Sequence, residues 1–237
     1  MSFNTWTPPA VFSEAFAWTG RAWRMVEAQH VASTMKLVDT RDEQDLLESL
    51  LEASKPPRPR QAQHLHDLLA TPYRYDPLRD GSRFRAATDA GVFYGAECVR
   101  TAAAELGFWR WRFLRDAAAL ERLEPVAHTA FSAAIDTTVI DLRRSPFDVD
   151  RELWAHPRDY APTQAFARVA REAKLGGILY GSVRDPNPAW CLALLTPAGF
   201  ARPKPSLDPH PWFLTVTRQE VTWRRDAESL CFSAAGW

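Results

Sequence analysis

The chain has 237 residues, of which 46% are hydrophobic and 24% are charged, the composition of an ordinary globular protein. Basic and acidic residues balance at 29 each, so no net charge attracts nucleic acid or an anionic membrane. Because no stretch approaches the roughly 20 apolar residues of a membrane span and the start of the chain does not resemble a signal peptide, we expect a cytoplasmic protein.

Cysteines and histidines give no sign of a disulfide framework or a metal centre. The three cysteines, Cys98, Cys191 and Cys231, are widely spaced and odd in number, which favours reduced thiols. His64 and His66 are close together, but no cysteine or third ligand is near them in the sequence. The sequence therefore predicts no metal site.

The first third of the chain predicts a strand followed by two helices. Residues 21–28 mix aromatic and β-favouring side chains, which is typical of a strand. Thr40 and Glu43 have the spacing of a capping box, and the helix they begin should end before the prolines that follow Lys55. A second helix is predicted over 61–70, and we interpret the two helices as an insertion at about 40–70.

The rest of the chain alternates strands and helices. Gly91–Ala96 predicts a short buried strand, followed by an alanine-rich helix that reaches Glu105. Residues 108–114 are compatible with a strand or a helix, and we favour continuation of the helix. The remaining predicted elements are strands over 124–134 and 139–142, a helix over 162–174 ended by Gly176 and Gly177, strands over 177–184 and 190–196, and a strand pair over 212–224.

This pattern predicts an α/β fold of the α+β type. We expect a single domain over 1–237 with one mixed sheet, a core over about 20–200 and a C-terminal strand extension over about 205–237. Neither GxGxxG nor GxxxxGK[ST] occurs, which disfavours a Rossmann or P-loop nucleotide site, and the GxSxG elbow of α/β-hydrolases is also missing.

Two residues in the segment 81–105 have side chains suited to binding a nucleotide. Arg83 lies in a polar turn, where its guanidinium could bind a pyrophosphate or simply face solvent, and Arg85 competes for the same role. Tyr94 closes an apolar strand, and its ring could stack on a ligand or pack in the core.

Glu105 and Ser182 are candidates for chemistry or ligand contact. Glu105 follows three alanines, so a ligand could approach closely. Its carboxylate could stabilise an oxocarbenium-like sugar, accept a hydrogen bond from a sugar hydroxyl or activate the acceptor. The alternative is a solvated helix carboxylate. Ser182 follows a glycine at the end of a strand, where it could bind a ligand or cap a turn. Thr163 and Gln164 begin a helix, where they could favour an anion or cap the helix.

Taken in order, these residues resemble the RES-domain toxins, which are named for a shared arginine, glutamate and serine. The matching elements are Arg24 in an early strand, Arg83 in a G-x-R-F turn, Tyr94 in a strand, Glu105 in a helix and Ser182 in a Tyr-Gly-Ser-x-Arg segment. Some members of the family place an aromatic residue where this chain has methionine, directly after the first arginine.

The resemblance implies an activity. It implies a fold similar to that of the ADP-ribosyltransferase toxins and cleavage of the nicotinamide–ribose bond of NAD⁺, which is a substrate, with no metal. Arg24 and Arg83 would hold the pyrophosphate, Tyr94 would pack on nicotinamide or its ribose, Glu105 would stabilise the ribosyl cation, and Ser182 would fix the nicotinamide side. The catalytic residues would then be Glu105, Arg24 and Ser182.

The resemblance also implies a partner and leaves the acceptor open. Such proteins are toxins of toxin–antitoxin pairs, neutralised by an Xre-like antitoxin with a helix-turn-helix region. We favour loss of NAD⁺ to phosphate or water over ADP-ribosylation of a protein. A non-catalytic nucleotide-binding or interaction module is the second alternative. A third, nucleic-acid binding through Trp109–Arg112, is disfavoured by the neutral net charge.

Overall fold

The structure is a computed structural model that describes residues 6–28, 39–75, 81–208 and 211–237. Across these residues, nine strands form one mixed sheet, which confirms the predicted fold class. The helices are α1 (Pro8–Ser13), α2 (Arg41–Ser54), α3 (Asp67–Arg74), α4 (Val99–Asp116), α5 (Arg151–Trp154) and α6 (Ala161–Glu172). The strands are β1 (Phe16–Glu27), β2 (Phe93–Ala96), β3 (Arg122–Asp141), β4 (Gly177–Gly181), β5 (Trp190–Leu194), β6 (Ser206–Leu207), β7 (Trp212–Thr217), β8 (Glu220–Arg225) and β9 (Glu228–Ser233).

Strand β3 organises the sheet. It runs for 20 residues, so the two separate strands predicted over 124–134 and 139–142 are wrong. The residues between them stay extended because the whole length of β1 pairs with β3, from Phe16 opposite Val139 to Glu27 opposite His128. Three strands share the remaining pairings of β3: β7 pairs with its first third, β6 pairs with Phe131 and Ser132, and β4 runs parallel to its end.

Two groups of strands extend from β3. β1, β2, β5, β4 and β3 pair in succession, and because β1 also pairs with β3, these five strands close into a ring. On the other side, β7, β8 and β9 continue the sheet as an antiparallel meander. The strand pair predicted over 212–224 is therefore part of a three-stranded unit.

Apolar side chains fill both faces of the sheet. One cluster packs α4 and α6 against the sheet, with Trp223 and Phe166 among its buried members. The second cluster lies on the opposite face and includes Leu65 and Leu69, both almost fully buried. The second predicted helix begins later than expected, as α3, and it covers one face of the sheet as a layer of the fold.

Helix α2 begins and ends where the sequence predicts. The hydroxyl of Thr40 accepts the Glu43 N–H, and the Glu43 carboxylate accepts the Thr40 N–H at 3.1 Å, which completes the capping box. The helix ends at Ser54, before the prolines. Its leucines Leu46 and Leu50 are each 60% exposed, so this helix contributes little to the core.

Helix α4 continues through the ambiguous segment, as predicted, and reaches Asp116. Gly107 lies inside this helix, although glycine often marks a helix end. A Cβ at this position would come within 2.8 Å of Val221 Cγ1, so the glycine allows β8 to pack closely against the helix. The neighbouring indole of Trp223 donates to the Ala103 carbonyl and fixes the same contact.

Helix α6 ends at Glu172, and Lys174, not the predicted Gly176 and Gly177, makes the turn that stops it. Lys174 has a φ of 58°, in the left-handed region that favours glycine. The N–H groups of Lys174 and Leu175 donate to the carbonyls of Arg171 and Ala170, the pattern of a Schellman motif.

The left-handed backbone of Lys174 predicts that glycine at this position stabilises the protein. Lys174→Gly should raise the free energy of unfolding by about 0.5–1 kcal/mol, because relief of left-handed strain outweighs the added chain entropy of glycine. Urea denaturation of both proteins measures the difference. Lys174→Ala keeps the strained backbone and should leave stability nearly unchanged, whereas equal gains from both substitutions would contradict the assignment to the backbone.

Within the described ranges, no helix combines the length and the apolar character that crossing a bilayer requires.

Candidate functional site

A cleft of about 370 Å³ opens between β1, β2, the turn at residues 81–84 and α4, a volume typical of small-molecule sites. Four of the predicted site residues line it, and the fifth, Ser182, contacts one of them. The polar lining residues are Arg24, Ser82, Arg83, Tyr94, Glu105, Tyr160, Tyr180, Arg184 and Cys191. Segments far apart in sequence thus converge on a single cavity.

The turn that carries Arg83 is built from its own backbone and from Tyr94. Gly81 has a φ of 72°, and a Cβ there would lie 2.1 Å from the Arg85 carbonyl oxygen, so the turn requires glycine. The Tyr94 hydroxyl accepts the Phe84 N–H at 2.9 Å and lies 2.7 Å from the Ser82 hydroxyl. The tyrosine therefore fixes the turn while its ring lines the cleft.

Helix α6 supports the same turn through its first residues. The Gln164 side-chain amide donates to the carbonyls of Ser82 and Arg85, at 3.0 and 3.3 Å, and the buried Thr163 hydroxyl donates to the Arg83 carbonyl. Thr163 and Gln164 thus bind protein carbonyls, which accounts for both side chains without an anion.

Arg83 is buried beside the cleft, with 7% of its surface exposed. Its Nη1 donates to the carbonyls of Trp154 and His156, at 2.8 and 3.1 Å, and its guanidinium carbon lies 4.8 Å from the centre of the Tyr160 ring. No ion pair within the described part of the chain includes this arginine. Its competitor Arg85 instead binds carbonyls of the local chain and does not line the cleft.

Arg24 reaches the cleft from β1. It donates to the Tyr94 carbonyl at 3.1 Å, and its guanidinium carbon lies 5.1 Å from the centre of the Phe93 ring. Burial lowers its pKa, but an arginine this basic stays protonated at neutral pH. Arg24 and Arg83 therefore place two cations in one cavity.

The carboxylate of Glu105 projects from α4 into the cleft. Its Oε1 accepts the Ser182 hydroxyl at 2.6 Å and the Cys191 thiol at 3.8 Å. The Ser182 oxygen also accepts the N–H groups of Arg184 and Asp185, at 3.3 and 3.1 Å. Ser182 lies outside the lining of the cleft and contacts it through the glutamate, which it holds in one orientation.

Sequence reasoning gave no role to three further lining residues: Tyr160, Tyr180 and Arg184. Arg184 could have been noticed, because it follows Ser182 by two positions and is a second arginine close to a candidate site. Tyr160 carried no such signal, since only the folded chain brings it onto the guanidinium of Arg83.

The RES domain family matches residues 55–217 of this sequence, more than half of the chain. The chain belongs to the RES domain family. The match includes Arg83, Tyr94, Glu105 and Ser182 and begins after Arg24, whose place in the cleft is shown by the structure. The predicted family is therefore confirmed.

Among solved structures, the chain is similar to one in the crystal structure of the M. tuberculosis MbcT–MbcA toxin–antitoxin complex. The two are 13% identical, the alignment covers 86% of each chain, and the TM-score is 0.46. No curated protein sequence matches the chain.

Two tyrosines and one cysteine that line this RES domain cleft are kept neutral by burial. Burial raises the pKa of Tyr94, and it raises the pKa of Tyr180 and of the Cys191 thiol well above their ordinary values. Among the described residues, Glu105 is the one carboxylate that lines the cleft. Those residues also contain no cluster of three or more histidine, cysteine or acidic side chains that could hold a metal ion.

Trp109 lies at the edge of the cleft. It lines the cavity while 42% of its surface is exposed, and Arg112 lies over its ring at 5.5 Å. The next tryptophan, Trp111, is buried and donates to the Arg218 carbonyl. The Trp-Arg run thus divides between the cleft edge and the core, and does not present a continuous row of rings for stacking on bases.

The buried thiol predicts selective alkylation. At pH 8, iodoacetamide should label Cys98 and Cys231, which are exposed, at least about tenfold faster than Cys191, because burial suppresses both access and the thiolate. Mass spectrometry of peptides over time measures the three rates. In denaturant the rates should converge, and labelling of native Cys191 at the rate of Cys231 would contradict the burial.

Proposed function

We propose that this RES protein cleaves the nicotinamide–ribose bond of NAD⁺ and acts as the toxin of a toxin–antitoxin pair. The observation that carries the proposal is the shared cleft, in which Glu105 is held by Ser182 while Arg24 and Arg83 lie without acidic partners among the described residues. An excess of cations suits a pyrophosphate, and a single oriented carboxylate suits a sugar cation.

The chemistry divides between these groups. When the bond between C1′ of the ribose and the pyridinium nitrogen breaks, its electron pair moves to the nitrogen and nicotinamide leaves as a neutral molecule. Positive charge then develops on the ribosyl carbon, where the carboxylate of Glu105 stabilises it. Arg24 and Arg83 hold the pyrophosphate, so the sugar stays in place as its base departs.

Tyr94 supports this arrangement by packing its ring against nicotinamide or its ribose. Because burial keeps the phenol protonated, the ring adds no negative charge to compete with Glu105.

Ser182 acts as a positioning residue. Its hydroxyl donates to Glu105 and accepts two backbone N–H groups, so the proton has one good acceptor and the carboxylate one preferred orientation. The resemblance implies that Ser182 fixes the nicotinamide side of the substrate; we propose instead that it acts through Glu105.

Water or inorganic phosphate accepts the ribosyl group in our preferred reaction, which releases ADP-ribose or its 1″-phosphate. With water, a proton is released as the new C–O bond forms. An antitoxin with an Xre-like helix-turn-helix region would neutralise the protein by blocking the cleft, as the family resemblance implies.

Glu105→Gln tests the catalytic assignment. The substitution keeps the size of the side chain but removes its charge, so nicotinamide release from NAD⁺ should fall roughly 100- to 1,000-fold. Chromatography of the products measures the rate. Glu172→Gln, at an exposed position of α6, is the matched control and should keep full activity. An unchanged rate in the Glu105 variant would refute the role.

The acceptor is identified in the same assay. NAD⁺ labelled in its adenylate part is incubated with the protein, with and without phosphate and with cell extract. Stimulation by phosphate indicates phosphorolysis, and ADP-ribose as product indicates hydrolysis. Label on a protein band would instead assign ADP-ribosylation of a protein.

Ser182→Ala separates positioning from binding. We expect kcat to fall roughly tenfold with KM nearly unchanged, because a charge-assisted hydrogen bond to Glu105 is lost while the cleft keeps its lining. Steady-state kinetics give both constants. A large rise in KM at constant kcat would instead place Ser182 in contact with the substrate.

A further inference from the structure

Arg184 has no role in the function proposed above, and its surroundings are unusual for an arginine. It lies just after β4, lines the cleft and exposes only 4% of its surface. Its guanidinium carbon is 3.4 Å from the centre of the Phe108 ring, and its Nη2 donates to the carbonyl of Pro157 and lies 3.4 Å from the Tyr160 hydroxyl. A ring and neutral oxygens therefore surround this cation.

The backbone of Arg184 is fixed as firmly as its side chain. The indole of Trp237 donates to the Arg184 carbonyl at 2.9 Å, and the Arg184 N–H donates to the Ser182 hydroxyl. The Trp237 ring itself packs on Phe108 and stacks on Phe232. Because the arginine is ordered before a ligand arrives, binding would cost little additional entropy.

Arg184 and Arg83 form a pair of cations around Tyr160. Arg83 lies over the face of this ring and Arg184 lies near its hydroxyl. Neither arginine takes part in an ion pair within the described residues. Burial lowers the pKa of Arg184. Tyr160 and, to a smaller extent, the charge of Glu105 oppose this shift, and the charge of Arg83 adds to it slightly.

Two buried cations that face one cavity are stabilised most by a ligand with more than one negative charge. Backbone carbonyls satisfy Nη1 of Arg83 and Nη2 of Arg184, and in the described part of the chain no hydrogen bond uses the other terminal nitrogen of either guanidinium. Phosphate oxygens match such donors in charge and geometry.

We propose that Arg184 is a further substrate-binding residue, which together with Arg83 binds a phosphate group. Under the proposed function, on which this inference rests, the phosphate group belongs to the pyrophosphate of NAD⁺. Inorganic phosphate, the acceptor in phosphorolysis, would present the same chemistry.

Calorimetry tests whether Arg83 and Arg184 bind phosphate together, because it measures ligand affinity and needs no catalytic turnover. The unmodified protein is compared with Arg184→Met. ADP-ribose, inorganic pyrophosphate and inorganic phosphate are the probes. Because the variant lacks a charged hydrogen-bond donor, its affinity for ADP-ribose and pyrophosphate should be roughly 10- to 100-fold lower. Nicotinamide riboside, which carries no phosphate, should bind both proteins equally.

Two further variants control for folding and for charge. Arg168→Met removes an arginine that pairs with Asp89 outside the cleft and should leave every affinity unchanged. Arg184→Lys keeps the charge and much of the aliphatic stem, so it should fold if the methionine variant does not. It should still bind pyrophosphate at least about threefold more weakly, because it lacks the planar fork.

The probes show whether the bound phosphate belongs to the substrate or to the acceptor. They also separate failure of the phosphate-binding pair from failure of the proposed function. Weaker ADP-ribose binding assigns the pair to the pyrophosphate of the substrate, and loss of inorganic phosphate alone assigns it to the acceptor. Binding of pyrophosphate without ADP-ribose or NAD⁺ would overturn the proposed function and leave the phosphate pair standing. Unchanged affinities in folded Arg184 variants, or no binding of any phosphate by the unmodified protein, would overturn the pair.

Discussion

The cleft depends on one electrostatic constraint: the cations that line it are held by carbonyls and rings, and by no described carboxylate. Arg83 donates to the carbonyl of Trp154, the last residue of α5, and to that of His156, and Arg184 donates to the carbonyl of Pro157. Acidic partners would have neutralised the cleft and competed with an anionic substrate. Carbonyl partners keep the guanidinium groups in place and leave their charge available to a ligand.

The hydrogen-bond donors of Glu105 are neutral groups, in contrast to the cations that line the rest of the cleft. The Ser182 hydroxyl and the Cys191 thiol both donate to the same carboxylate oxygen, and burial keeps that thiol protonated. An ionised thiol here would repel the carboxylate and offset the charge of the arginines. The protonated thiol and the hydroxyl therefore leave the carboxylate charge free for the role that we propose for Glu105.

The sequence predicts Arg83, Tyr94 and Glu105 as a set only through the resemblance to the RES-domain toxins, because each residue alone also fits an ordinary surface or core position. The structure places all three on one cleft, since the turn, the strand and the helix that carry them follow each other closely. The position of Arg184 beside Ser182 is visible in the sequence, but its role could not be assigned, because its partners come from three distant segments. The continuous β3 was also missed, since its polar middle is extended only through pairing with β1.

The meander after β6 contributes to the cleft as well as to the sheet. Trp237 follows β9 and lies outside the family match, yet it fixes the carbonyl of Arg184 and packs on the ring that Arg184 covers. Trp223 on β8 fixes α4 through the Ala103 carbonyl, two residues before Glu105. Strands beyond the matched region thus hold the helix that carries the carboxylate and the loop that carries a cation. Because these contacts reach α4 and the loop after β4, a change in this meander would alter the distance between Arg184 and Glu105, to which we assign phosphate binding and stabilisation of the sugar.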